Sequence, residues 1–248
     1  MEITIPRRFC GPPNSGNGGY SCGRLAAFVG PSAEITLRAP PPLDTPLQVQ
    51  RHDGTLWLTH GDQLIAEGRA ADVHLAVPPP PSWDEAAAAG KGYNGMKEHA
   101  YDTCFVCGPR RGPSDGLRIF CGPWKQGMVA GTWIPDATLD DGKGDVASEF
   151  LWSAIDCPGS WSVIGRHDAD APVKAVPSTM LLGRLAGRIY RGLRIGDECT
   201  VLGWFLGADG RKYTVGTAIH TRAGERVAAS RATWIALKPG LSEAEGPA

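Results

Sequence analysis

The sequence predicts an α+β fold composed of two similar halves, in each of which one buried helix is followed by antiparallel strands. Three observations support this prediction. The helix and strand patterns occur twice in the same order, about 150 residues apart, which is the spacing of a duplicated domain and not of a short repeat. The 33 glycines and 21 prolines among the 248 residues provide many turns between strands and disfavour a helical bundle. Apolar residues surround the helix candidate of the second half, as in a helix covered on most sides.

The first half is predicted to span residues 1–81. Its helix candidate begins at Gly18, after a loop rich in glycine, proline and asparagine, and runs to Val29. Runs of strand-forming residues separated by glycine-containing turns predict the strands. The strand candidates are Ile3–Ile5, Ala33–Arg38, Leu47–His52, Thr55–Gly61 and Gln63–His74. Residues 82–103 are interpreted as a linker, to which we assign no regular structure because its glycines limit helix formation.

The second half is predicted to span residues 104–240, with a disordered tail at 241–248. Its helix candidate is Val146–Asp156. We expect this helix to end at Cys157-Pro158-Gly159, because proline disfavours helix in the residue before it and glycine accepts the left-handed cap. The strand candidates are Gly116–Cys121, Gly127–Ile134, Pro177–Tyr190, Glu198–Leu206, Lys212–Thr221 and Arg226–Ala236.

The composition argues against several classes of function. The formal net charge is −1 and no basic stripe stands out, so nucleic-acid binding has little electrostatic support. No run approaches the roughly 20 apolar residues that cross a bilayer. The first residues also lack the apolar region of a signal peptide. The 7 cysteines are therefore expected to be reduced thiols of a cytoplasmic protein.

Two stretches of the chain resemble a known family. One is Thr103–Pro109, which reads Thr-Cys-Phe-Val-Cys-Gly-Pro and is followed by Gly-Leu-Arg at 116–118. The other is Asn-Gly-Gly-Tyr at 17–20. They are similar to the lead-in and to the helix start, usually His-Gly-Gly, of hotdog-fold proteins of the thioesterase superfamily. The duplication resembles the double-hotdog thioesterases. This resemblance implies a tandem hotdog, with two antiparallel sheets each wrapped around a long central helix, forming an intrachain pseudo-dimer.

The resemblance also implies how the two halves share a site. In one branch of the family, Gly-Gly amides at the helix start polarise the thioester carbonyl. An acid about two helical turns along, from the opposing unit, acts as base or nucleophile. In the first half, Gly18 and Gly19 fit the glycine pair and Asn17 takes the place of the histidine. The place of the acid falls on Ala26, so the first half is expected to lack that acid.

The second half shows the opposite pattern. Ala147, Ser148 and Glu149 fall on the three positions of the helix start, and Asp156 falls on the place of the acid. The resemblance therefore implies one composite site per chain, with amides from the first half and a carboxylate from the second. The equivalent position at the other ends of the two helices, which we call the second corner, is expected to be degenerate. The predicted catalytic residues are Asn17, Gly18, Gly19 and Asp156.

Each of these residues also has an ordinary structural interpretation. The glycines could simply open a helix whose N-cap is Asn17. Burial of Asp156 should raise its pKa and make the carboxylate a more effective base or nucleophile. Alternatively, its carboxylate could bind backbone N–H groups in the turn at 156–159. Glu149 is a rival acid, although acids in the first turn of a helix commonly complement its dipole.

A further set of residues is predicted to bind substrate. Asn14 and Ser15, in the loop before the first helix, could orient water or a substrate carbonyl, although such residues usually make turns. Arg118 could meet the phosphates of coenzyme A, and Trp152 could line an acyl or aryl pocket. The complete predicted set is Asn14, Ser15, Tyr20, Glu149, Trp152 and Arg118.

The pair Cys104 and Cys107, spaced C-x-x-C, raises the question of a metal. Together with His99 and Cys121, the pair could bind zinc tetrahedrally. The spacing matches no standard zinc finger, and the family resemblance explains the pair as a structural lead-in, so we predict no metal. Cys157, beside the proposed acid, is interpreted as a small buried hydrophobe rather than a nucleophile.

The leading functional prediction is a cytoplasmic hydrolase of a small-molecule acyl thioester. Coenzyme A or an acyl-carrier phosphopantetheine would be part of the substrate, and no separate cofactor is expected. One alternative is a hotdog hydratase or dehydratase, although the nearest histidine after the acid is His167. The other is a non-catalytic acyl- or acyl-CoA-binding protein. We expect no nucleic-acid or membrane partner, and a homo-oligomer of double-hotdog chains is left open.

Overall fold

The computed structural model describes residues 1–164 and 179–237, and within them it has eleven strands and four α-helices. The first-half strands are β1 (Glu2–Thr4), β2 (Ser32–Leu37), β3 (Pro46–His52), β4 (Thr55–His60) and β5 (Gln63–Ala70). The second-half strands are β6 (Gly122–Lys125), β7 (Met128–Trp133), β8 (Met180–Ile189), β9 (Cys199–Asp209), β10 (Lys212–Thr221) and β11 (Arg226–Ala236). The helices are α1 (Gly18–Ala26), α2 (Trp83–Gly90), α3 (Ser148–Ala154) and α4 (Cys157–Ile164).

The strands form one continuous antiparallel sheet. Their order is β1-β3-β4-β5-β2-β8-β11-β10-β9-β7-β6. The halves meet where β2 pairs with β8, with Ile35 opposite Leu185. The two sheets of the predicted pseudo-dimer are therefore joined edge to edge. The junction pairs backbone groups that two separate edge strands would leave exposed.

The strand order is similar in the two halves, as a duplication would require. Outward from the β2–β8 junction, the first half reads β2, β5, β4, β3, β1 and the second reads β8, β11, β10, β9, β7, with β6 as an additional strand at its outer edge. In both halves the strand that follows the central helix lies at the junction, and the strand that precedes the helix lies beyond the other four. The large antiparallel sheet and the few helices packed on it fit a hotdog fold.

Helices α1 and α3 pack against each other in opposite directions. A Cβ atom at Gly19 would lie 2.9 Å from Ser153 Cα, near the end of α3. One at Gly23 would lie 2.7 Å from Glu149 Cα, near its start. The two backbones approach this closely because glycine has no side chain. The N-terminus of each helix therefore faces the C-terminal end of the other.

The prediction that the second-half helix ends at residues 157–159 is wrong. Helix α3 ends at Ala154, and after a turn at Ile155 and Asp156 a new helix, α4, begins at Cys157. Pro158 lies in the first turn of α4, where its missing N–H breaks no helical hydrogen bond and its fixed φ suits the helix. The expected long central helix is thus replaced by two short ones, and Asp156 occupies the turn between them.

The predicted strand at 116–121 is also wrong. This segment runs beside Phe105 and Val106, with Leu117 N–H bonded to Phe105 O at 2.8 Å and Ile119 N–H to Val106 O at 2.9 Å. The two hydrogen bonds alone do not make a ladder, and the strand β6 begins only at residue 122.

The linker, for which the sequence predicts no regular structure, contains helix α2. Ser82 caps α2, and its side chain and that of Glu85 form a reciprocal capping box. Residues 241–248, predicted as a tail, and the first two residues of the strand predicted from 177 lie outside the described residues. The domain boundaries stay predictions. Within the described ranges, the helices are too short or too polar to cross a membrane.

Candidate active site

The N-terminus of α1 binds the carboxylate of Asp156. The backbone N–H of Gly19 donates to Asp156 Oδ2 at 2.8 Å, and Asn17 Nδ2 donates to the same oxygen at 3.2 Å. Asn17 is also the N-cap of α1, because its Oδ1 accepts the N–H of Tyr20 at 2.9 Å. A second-half carboxylate thus lies at the positive end of a first-half helix, where negative charge is favoured. The structure brings together the residues that a composite site requires.

The geometry at this corner explains why glycine occupies position 19. A Cβ atom there would lie 2.5 Å from Asp156 Cβ and 2.7 Å from the carbonyl oxygen of Trp152. Both distances are shorter than van der Waals contact. Any larger residue would push α3 and the following turn away from α1, and the hydrogen bond between the Gly19 amide and the carboxylate would break.

Asp156 is buried, and only one of its two carboxylate oxygens accepts hydrogen bonds from the described part of the chain. The residue is 1% exposed, and its Oδ1 atom has no hydrogen-bond partner among the described residues. Burial raises the pKa of Asp156 to about 7, and the hydrogen bonds from Gly19 and Asn17 offset part of this increase. The carboxylate therefore binds N–H groups of the other half rather than those of its own turn. Its second oxygen is left for a ligand or water.

A cavity of about 340 Å³ opens beside this carboxylate, and we call it the first cavity. Asp156, Asn17 and Gly18 form part of its wall, and apolar side chains such as Leu182 and Met180 form much of the rest. The N–H of Gly18 has no acceptor among the described residues, so it is the remaining donor of the first helical turn. Such a wall, mostly apolar with a few polar groups, is typical of a small-molecule site.

A second cavity of about 400 Å³ adjoins the first. The two share part of their walls: Tyr101, Cys104, Cys157, Met180 and Trp234. Trp234 is buried, and its Nε1 atom has no hydrogen-bond partner among the described residues. Buried polar atoms usually have partners, so this donor is available to a molecule lying where the cavities meet.

The structure places two of the predicted substrate-binding residues at the first cavity. Asn14 and Ser15 line it, as the loop position suggested. The other four do not line either cavity. Tyr20 stacks on Phe9 with ring centres 4.2 Å apart. Trp152 is 1% exposed and is enclosed by α1 and β8, so it belongs to the core.

Arg118 and Glu149 also lie away from the cavities. The guanidinium of Arg118 donates to the carbonyl of Arg111 and lies 5.2 Å from the ring centre of Phe120. Glu149 sits beside Gly23, toward the opposite end of α1 from Asp156. The two cavities therefore do not support the predicted roles of these residues in substrate binding, which stay predictions.

Three cysteines of the second half meet beside Asn17. The sulfur atoms of Cys104, Cys107 and Cys157 lie within 4.8 Å of one another, and all three residues are buried. The sequence suggested His99 and Cys121 as the additional ligands of the C-x-x-C pair, and not Cys157. The Cys121 sulfur is outside this group and points to the carbonyl of Val201 at 3.9 Å. No sequence pattern linked Cys157 to the C-x-x-C pair, because only the fold brings them together.

Comparison with known proteins supports the fold. No family model and no curated protein matches this chain in sequence. A solved structure assigned as a thioesterase from Novosphingobium aromaticivorans matches with a TM-score of 0.59 and 11% identity over 96% of this chain and 95% of its own. The tesB protein of Mycobacterium avium subsp. paratuberculosis matches with a TM-score of 0.57 and 13% identity over 92% and 89%. An assigned thioesterase II from Thermobifida fusca matches with a TM-score of 0.55 and 15% identity over 96% and 92%.

These three likenesses extend over nearly the whole of each chain. At 11–15% identity they show a shared fold and carry no information about this chain's substrate. The expected resemblance to the thioesterase superfamily is therefore confirmed for the fold.

Proposed function

We propose that the protein is a double-hotdog hydrolase of acyl thioesters with one composite site between its halves. The observation that carries this proposal is the environment of Asp156. One carboxylate oxygen is fixed by the amide of Gly19 and the side chain of Asn17. The other oxygen has no partner among the described residues, and the residue forms part of a cavity wall. A buried acid that is held in place and has a raised pKa suits general-base or nucleophilic chemistry.

The residues suggest how the reaction would proceed. Asp156 Oδ1 takes a proton from water as the water oxygen attacks the thioester carbon. The tetrahedral intermediate then expels the thiolate, which receives that proton, so that a carboxylic acid and a free thiol are formed. Direct attack by the carboxylate would expel the thiolate first and leave an anhydride for water to cleave. In either route the N–H of Gly18 is the donor left to stabilise the oxyanion.

The cavities support a thioester with an apolar acyl group. Leucine and methionine side chains line the first cavity, and its volume of about 340 Å³ lies within the range of small-molecule pockets. The thiol would belong to coenzyme A or to a carrier phosphopantetheine, as the sequence analysis expected. Two solved structures with this fold are assigned as thioesterases, which supports thioester hydrolysis as the type of reaction.

One observation favours a second candidate, a non-catalytic acyl-binding protein. The resemblance assigned both glycine amides to the thioester oxygen, yet the Gly19 amide is already bonded to Asp156. A site with a single free amide would stabilise an oxyanion less than a site with two. Binding without turnover is therefore the rival that the experiment must exclude.

A panel of acyl-CoA thioesters with differing chains tests the proposal by release of free thiol. We expect Asp156→Asn to reduce kcat by about 10²–10⁴-fold. The matched control is Glu149→Gln, which neutralises an acid at the opposite corner and should leave kcat within about 2-fold of the wild-type value, because this residue touches neither cavity.

Other outcomes would contradict the hydrolase. Undiminished thiol release by Asp156→Asn removes the proposed role of the carboxylate. Saturable binding of acyl-CoA without any thiol release supports the binding protein. A change at the acyl carbons without thiol release supports the hydratase that the sequence analysis left open.

A further inference from the structure

The three cysteines beside the active-site carboxylate have the geometry of metal ligands. Cys104 Sγ and Cys157 Sγ are 3.8 Å apart, and Cys107 Sγ lies within 4.8 Å of both. In a tetrahedral zinc site with Zn–S bonds of about 2.3 Å, neighbouring sulfurs are separated by about 3.8 Å. The observed separation matches that value and is far longer than a disulfide bond, which is about 2.05 Å.

The backbone conformation holds the cysteines in this arrangement without a metal. The N–H of Gly108 donates to the carbonyl of Cys104 at 2.9 Å, which closes a tight turn over the C-x-x-C segment. A Cβ atom at Gly108 would lie 2.5 Å from Cys104 N, so glycine allows this turn. The turn brings both sulfurs toward Cys157, the first residue of α4.

Side-chain N–H groups face all three sulfurs. Asn17 Nδ2 lies 3.8 Å from Cys104 Sγ and 3.7 Å from Cys157 Sγ. His99 Nε2 lies 3.4 Å from Cys107 Sγ, and its Nδ1 accepts the N–H of Tyr101 at 2.9 Å. A neutral His99 therefore carries its hydrogen on Nε2 and points it at the sulfur. Such outer donors offset the charge of metal-bound thiolates.

We infer that Cys104, Cys107 and Cys157 bind one zinc ion, or a similar thiophilic divalent metal, through their three thiolates, with the fourth coordination position facing the second cavity. All three cysteines line that cavity, so a water or a ligand there has access to the metal. Three protein ligands and one open position are the arrangement of reactive rather than purely structural zinc sites. Binding releases the three thiol protons to solvent. This inference departs from our prediction of no metal, and it does not depend on the hydrolase proposal.

The test measures metal directly and does not use activity. The full chain is purified without a metal-affinity step under reducing conditions, and its zinc is quantified by mass spectrometry. The chain is then stripped with a chelator and titrated with Co²⁺. We expect about one zinc per chain, and sulfur-to-cobalt charge-transfer absorption together with the intense visible bands of tetrahedral cobalt.

Two variants and a matched control locate the site. Cys104→Ser and Cys157→Ser should each lower zinc occupancy at least about tenfold, because two thiolates and a weak hydroxyl hold the ion poorly. Cys121→Ser removes an equally buried thiol outside the group and should keep the wild-type occupancy. If the variants fail to fold, the cobalt spectrum of the wild-type chain still decides.

Three results would overturn the inference. They are a wild-type chain without zinc and without cobalt charge-transfer bands, equal loss of metal in Cys121→Ser, and a Cys104–Cys157 disulfide in place of metal in the purified protein. An open fourth position also predicts that a small thiol added to the cobalt form shifts its visible bands. Unchanged bands would restrict the site to a closed structural role and contradict the open position.

Discussion

The two ends of the α1–α3 helix pair carry different chemistry on the same framework. At one end, Asn17 caps α1 and the Gly19 amide holds the Asp156 carboxylate beside a cavity. At the other end, Ala147 offers α3 no side-chain cap, and Ala26 falls where an acid would be. The strand order of the two halves is nevertheless the same. The two halves therefore share a strand order, but the candidate site occurs at only one end of the helix pair.

This difference follows from what each feature requires. The sheet needs matching patterns in both copies, because each copy must cover its own helix. A composite site needs only one helix N-terminus and one carboxylate. One end of the helix pair can therefore provide the whole site. At the second corner, Glu149 stands in the first turn of α3, where it complements the helix dipole and touches neither cavity.

The largest effect should come from filling the space between the helices at the active corner. Gly19→Ala places a Cβ atom 2.5 Å from Asp156 Cβ and 2.7 Å from a backbone oxygen. We expect the free energy of unfolding to fall by about 3 kcal/mol, since the backbone has little room to move. Thiol release should fall by at least about 100-fold, because the Asp156 carboxylate is displaced. Urea unfolding and the thiol assay measure the two effects.

The matching change at the other corner is Glu149→Ala. It should leave thiol release unchanged and alter stability by less than about 0.5 kcal/mol. Equal loss of activity in both variants would mean that the two corners do not differ as described.

A second experiment separates the two roles of Asn17. Asn17→Ala removes both the cap on Tyr20 N–H and the donor to Asp156, and it should cost about 2 kcal/mol of stability. Asn17→Ser retains a capping oxygen but loses the donor. We therefore expect it to cost less than half as much in urea unfolding while lowering kcat as far as alanine does. A serine variant with wild-type kcat would show that the donor does not position the carboxylate.

The smallest effect should be a gain at the uncapped corner. Ala147 has the extended backbone of an N-cap residue, with φ −60° and ψ 140°, but no side-chain oxygen. Ala147→Ser should raise the free energy of unfolding by about 0.5–1 kcal/mol by accepting a first-turn N–H. The control is Ala137→Ser, the same change at an exposed position outside a capping site. Equal shifts in both variants would refute the capping argument.

Much of the fold could be predicted because strand patterns are local. Strands β10 and β11 have the predicted bounds, Lys212–Thr221 and Arg226–Ala236. Pro158 misled the prediction because the same residue that ends one helix can begin another, and only the packing of α4 decides between them. The sequence likewise did not predict which strands join the two sheets, because the pairing of β2 with β8 depends on how the halves dock.

The candidate site was predictable in part, for a related reason. The alignment of the halves brought out Gly19 and Asp156, although they lie 137 positions apart. The alignment did not predict that one oxygen of the Asp156 carboxylate would accept the hydrogen bond of the Gly19 amide. Likewise, Cys157 and Cys104 are 53 positions apart, and no spacing rule joins them. Tyr20 and Trp152 were assigned to substrate because aromatic side chains near a site and in a core look alike in sequence.

The pairing of β2 with β8 has one further consequence. A symmetric dimer of identical chains would dissociate on dilution, and every substitution in it would appear at both corners. Here the two partners are covalently linked, so their effective concentration is set by the chain itself. Activity per molecule should then stay constant down to very low protein concentrations, and evolution can alter one corner without touching the other.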